Sequence, residues 1–150
     1  MKRIVFLFII TLCSAYCFGQ ENSMEKYADM DGVKSVYISK AMLSLMPSVD
    51  LEGVNIGKTA AKLDNIQILS TEKQDIRKKM TNEIKSLVSK GKVEELMRVK
   101  EEDENVNIFM KDLGNSKSEF ILFNDEKDEL TIIIITGSLT LNDIQKIVND

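Results

Sequence analysis

Apolar and polar positions along this chain change period several times, and each change marks an element. In "VKSVYIS", Val33 to Ser39, they alternate, which predicts a strand buried mostly on its Val36/Ile38 side. From Lys40 the pattern becomes "KAMLSLMP", a short run of helix formers that Pro47 stops. Ser39 suits the N-cap of that helix, and Ile38 and Leu43 have the spacing of a hydrophobic staple. Residues 48–65 read as irregular, with a short turn around Ala60–Leu63, and Ile66–Leu69 reads as a second short strand. The strongest helical period follows. Ile76, Met80, Ile84, Leu87 and Val88 form one apolar stripe, with Thr71 and Gln74 spaced as a capping box and Gly91 as the C-terminal cap.

The last third is a series of strands, Val93–Glu102, Asn105–Leu113, Ser118–Asp125 and Glu129–Gly137, separated by polar or glycine-bearing turns. That spacing predicts an antiparallel meander. Ile132–Ile135 has no polar face and suits a central strand. In "LTLNDIQKIVND", Thr140 is placed to cap a last helix, Leu139 and Ile144 to staple it, and Leu141, Ile144, Ile147 and Val148 to form its apolar stripe.

The first twenty residues stand apart. Lys2 and Arg3 precede an apolar run, Ile4–Leu12, and smaller residues then lead to Gly19-Gln20, the order of a secretory signal peptide. The predicted organisation is a leader over 1–19, a polar flexible segment over 20–32 and one domain over 33–150. That domain is α+β: an antiparallel-rich sheet of about five or six strands, with about three helices mainly on one face. Cys13 and Cys17 raise the question of a lipid anchor. Cys17 follows "SAY", and bulky Tyr16 fits a lipoprotein peptidase badly, so plain export is the expectation and membrane attachment would require lipidation at Cys17.

Composition narrows the chemistry. Removing the leader leaves 18 Lys and Arg against 24 Asp and Glu, a net charge of 18 − 24 = −6, with no basic block that would favour nucleic acid as a partner. Both cysteines leave with the leader, so an exported chain would rely on its core and not on disulfides. The full chain has eight Met, seven of them beyond the leader, and no Trp, so that core is mainly aliphatic and Met. The chain has no His, which removes the commonest general base and metal ligand and makes a Ser-His-Asp triad impossible.

The segments "DGVKSVYISKAML", "VEELMRVKEEDENVNIFMKD" and "ELTIIIITGSLTLNDIQKI", in that order, resemble a bacterial family known as domain of unknown function 4252. The resemblance covers nearly all of the chain beyond the leader. It implies a small exported protein of a Gram-negative lineage, often encoded near extracytoplasmic-function sigma factors. It implies no catalytic, cofactor or metal residues.

Each remaining candidate has an ordinary structural reading beside it. Ser39-Lys40 could be a Ser-Lys dyad, but adjacent residues at a strand-to-helix joint diverge, and capping is favoured for Ser39. The acidic runs "EEDEN" and "NDEKDE" could attract Ca²⁺, but neither has EF-hand spacing and both fall at turns. "GKT", Gly57–Thr59, lacks the upstream glycine of a P-loop, since position 52 is Glu. The apolar group Met42, Leu43, Leu45 and Met46 could be an adaptable binding surface, with core the favoured reading. The expectation is a non-enzymatic envelope domain without cofactor or metal, binding an envelope protein or a small apolar ligand. The alternatives are a carboxylate-only hydrolase, which needs a pocket with two acids and one raised pKa, and a structural or assembly factor acting through a sheet edge.

Overall fold

A computed structural model describes residues 24–45, 50–51, 54–55 and 57–144, and its main body is a sheet of six antiparallel strands. Chain order is β1 (Lys34–Ser39), α1 (Lys40–Leu45), β2 (Asp50–Leu51), β3 (Val54–Asn55), β4 (Leu63–Thr71), α2 (Gln74–Ser89), β5 (Glu94–Lys100), β6 (Glu104–Gly114), β7 (Lys117–Glu126) and β8 (Leu130–Gly137). Short 3₁₀ turns cover Glu25–Tyr27 and Gly57–Lys62, and a last helix, α3, begins at residues 141–144. The leader, Met46, Pro47, Ile147 and Val148 lie outside the described residues.

The order across the sheet is β1-β4-β8-β7-β6-β5, and β2 and β3 pair separately. The predicted meander is present, β5 to β8 being successive neighbours. A two-residue turn, Asn115–Ser116, joins β6 to β7 with φ of 53° and 60°, the left-handed pair that matches hairpin twist. After β4 the chain must reach β5 on the far edge. Four strand spacings are about 19 Å, and the 16 residues of α2 extend about 24 Å, so the helix can cross one face on the way.

Side-chain alternation divides the core between the two faces. Ile76, Met80 and Ile84 of α2 meet Leu69, Ile132, Ile134, Ile121, Phe123 and Phe109. Leu43 of α1, Leu139 and Ile144 meet Ile38, Ile66, Phe120 and Ile135 on the opposite face. The long helix therefore takes one face and the two short ones pack at one end of the other. β8 is central, with Ile132, Ile134 and Ile135 fully buried.

Residues 48–65, read as irregular, hold the β2–β3 pair and the start of β4, and four further local features differ from the sequence expectation. The segment over 20–32, read as polar and flexible, contributes Met24 and Tyr27 to the core under α2. Val36, expected inside with Ile38, is 48% exposed because β1 is an edge strand that α1 covers only at its Ile38 end. β4 extends to Thr71, which delays the helix to Gln74. Thr71 Oγ1 donates to the Gly32 carbonyl at 2.7 Å and accepts from Lys73 N–H at 3.2 Å, so no Thr71–Gln74 capping box forms. The group around Met42 is divided: Leu43 is buried, while Met42 and Leu45 are exposed.

Candidate functional site

A concavity lies where α2 passes over the β5–β7 edge. Thr81, Ile84, Lys85 and Val88 recur at three- and four-residue steps and present one helix face to it. The sheet supplies Glu95, Arg98 and Lys100 of β5, Asn105, Asn107 and Phe109 of β6, and Phe123 and Asp125 of β7. These residues share a face because Glu95 pairs with Phe109, Arg98 with Asn107 and Lys100 with Asn105 in register. The groove encloses about 500 Å³, within the range of small-molecule sites. Ile84, Phe109 and Phe123 are its apolar floor, and Val88 is its exposed wall.

The ionic rim is unevenly neutralised. Arg98 donates to both Glu95 carboxylate oxygens at 2.7 and 2.6 Å, and Asp125 accepts from Arg77 at 2.8 Å. Lys85 and Lys100 form no ion pair with any described residue. The groove is thus an apolar slot with two uncommitted cations beside it. The end of α2 is held by Gly91 at φ 64°, with Lys92 N–H donating to Leu87 O and Gly91 N–H to Val88 O, which keeps Val88 at the groove wall.

On the same face, beyond α2, a smaller pocket is lined by Glu25, Tyr37, Asn65, Gln67, Lys111, Leu113, Glu119 and Thr136. Glu119 is buried there, and desolvation raises its carboxyl above the ordinary glutamate value despite the nearby Lys111 cation.

Ser39 and Lys40 are not brought together for catalysis. Ser39 Oγ accepts from Met42 N–H at 3.4 Å, a long capping contact, while Lys40 Nζ reaches Asp64 at 3.1 Å. Glu104 from the first acidic run and Glu126, Asp128 and Glu129 from the second do meet in one shallow depression. Lys34 pairs with Glu129 and Glu72 there, and no group of three or more carboxylates among the described residues is placed to hold a metal. Gly57–Thr59 opens a 3₁₀ turn and not the α-helix a P-loop requires.

The sequence profile of a family described as Domain of unknown function (DUF4252) matches residues 27–147. The chain belongs to the DUF4252 family. No curated protein and no solved structure matches it. In this DUF4252 domain the matched span holds both the groove and nearly all of the Glu119 pocket's lining.

Two residues of this DUF4252 domain gave no motif to read. Glu119 shares its strand face with Ile121 and Phe123, so a charge at a core-facing position of the alternation was the available signal. Arg77 is buried on α2 and donates to Lys127 O at 3.0 Å, to Asp125 and to Glu126 O. Its partners are about fifty positions away, and nothing local announces them.

Proposed function

We propose that this DUF4252 protein is an exported bacterial envelope domain that binds small amphiphiles, an apolar chain lying in the groove between α2 and β5–β7 and an acidic head meeting Lys85 and Lys100. The observation that carries this reading is the combination of a buried aromatic floor, Phe109 and Phe123, with two rim cations that no described carboxylate neutralises. Apolar area supplies most of the affinity in such a site, and a few polar groups set orientation. Export is supported by the Lys2-Arg3, Ile4–Leu12 and Gly19-Gln20 order, and nothing in the reading requires catalysis.

Two measurements test it. Expressed in a Gram-negative cell, the full chain should appear outside the cytoplasm with a mass matching an unlipidated start near Gln20, and a lipid-modified product starting at Cys17 would refute plain export. Retention at full length in the cytoplasm would refute export. In calorimetry, dodecanoate should bind at one site, and a Lys85→Glu/Lys100→Glu variant should bind it roughly tenfold more weakly, as expected for about 1.4 kcal/mol lost from two rim charges. Equal affinity for dodecanoate and dodecyltrimethylammonium would refute the acidic-head assignment.

A second reading, a hydrolase using carboxylates alone, is favoured by one observation: Glu25 and Glu119 line the same pocket and burial raises the Glu119 carboxyl. Its test is turnover of a panel of oligosaccharides by the wild type and loss of that turnover in Glu119→Gln.

A further inference from the structure

The second pocket is built around a carboxylate to which no described residue donates a hydrogen bond. Glu119 lies in β7 at the position whose alternation directs Ile121 and Phe123 beneath α2, and it is 7% exposed. None of the described residues hydrogen-bonds or ion-pairs with it. Its carboxylate oxygens are nonetheless not sealed inside the protein, because Asn124 Oδ1 is the buried side-chain atom without a partner among the described residues. Glu119 instead lines a pocket of about 240 Å³. Burying a carboxylate without donors is costly, and such a group is most readily retained where something other than the protein supplies them.

The lining indicates what that something is. Lys111 is the cross-strand neighbour of Glu119, close enough to favour its ionised form and too far to bond it. Glu25 brings a second negative charge from the 3₁₀ turn, and Tyr37, Gln67 and Thr136 contribute neutral polar groups. Two carboxylates against one ammonium leave the lining negative, which repels anions. The volume is below the roughly 300–1,000 Å³ of drug-sized sites, so the occupant is small.

We propose that this pocket binds a small organic ammonium compound, whose N–H⁺ groups donate to the Glu119 carboxylate. A charged donor satisfies the carboxylate more fully than a hydroxyl does, since hydrogen bonds between ionised partners are about twice as strong as neutral ones. The pocket is separate from the amphiphile groove, so this site stands or falls independently of that reading.

The test is a titration of the protein with n-propylammonium, 1-propanol and propionate at constant ionic strength, followed through the amide resonances of Glu119, Lys111 and Thr136 and the carboxyl resonance of Glu119. The expected result is saturable shifts with propylammonium and none with the other two. Glu119→Gln should weaken that binding at least tenfold. Lys111→Gln removes the competing cation but also raises the Glu119 carboxyl further, so it should strengthen binding severalfold at a pH well above the Glu119 titration and shift the pH at which binding is lost upward. Binding to the wild type should also weaken as pH falls through the Glu119 titration, because protonation removes the charge that recognises the ligand. This pH arm keeps the test decisive if Glu119→Gln does not fold. Equal shifts with propanol, an unchanged affinity in Glu119→Gln, or oligosaccharide turnover that Glu119→Gln abolishes would each overturn the assignment.

Discussion

Asp143 accepts from Lys62 Nζ at 2.8 and 2.9 Å and from Thr140 N–H at 2.9 Å, and these donors, the lysine foremost, lower its carboxyl to about 2. Thr140 Oγ1 accepts in return from Asp143 N–H at 3.3 Å, so the two residues form a reciprocal cap at the start of α3. The folded pKa lies below the ordinary aspartate value of 3.8, so Asp143 stabilises the fold above about pH 4. That contribution is lost as pH falls through the folded value near 2. Asp143→Asn should therefore cost about 1–2 kcal/mol at pH 7, and the gap to wild type in urea unfolding should close toward pH 2. A gap that stays constant with pH would contradict the ionic role. The caps at Ser39 and Thr140 were legible in the sequence because capping depends on neighbours three residues away. The Lys62–Asp143 pair was not, because its members are brought together only by the fold.

At the scale of elements, hydrophobic period was a reliable guide where tertiary contacts agreed with it. α2 has the predicted stripe, and β5 to β8 fall within two residues of the strands read from alternation. The start of α2 was misplaced because Thr71 bonds across to Gly32, extending β4 at the expense of a local cap. α2 is instead anchored at its N-terminal end by Arg77, whose guanidinium holds three acceptors at the end of β7 and the residue after it, Asp125, Glu126 and Lys127. Arg77→Met keeps the apolar stem and removes those donors. It should cost about 2 kcal/mol in urea unfolding, the scale of hydrogen bonds to a charged group. A change within about 0.5 kcal/mol would show that the anchor contributes little.

For the whole molecule, the α+β class and the meander were readable, but the strand order was not. β4 inserts beside β8, and β1 takes the edge beyond it, through antiparallel pairings between segments distant in the chain. That order sends α2 across one face to reach β5, and the groove is a consequence of the crossing. No local pattern announces a groove whose walls come from one helix and three strands. The glycine at 137 reflects the same global arrangement, since a Cβ there would stand 2.3 Å from Lys62 O.

The most direct measurement is a dodecanoate titration followed by backbone amide shifts across the domain. Saturable shifts concentrated at Ile84, Lys85, Val88, Arg98, Lys100 and Phe123, with residues of the opposite face such as Ile38 and Ile135 unmoved, are the predicted result. Absence of saturable shifts, or shifts centred on the opposite face, would contradict the account.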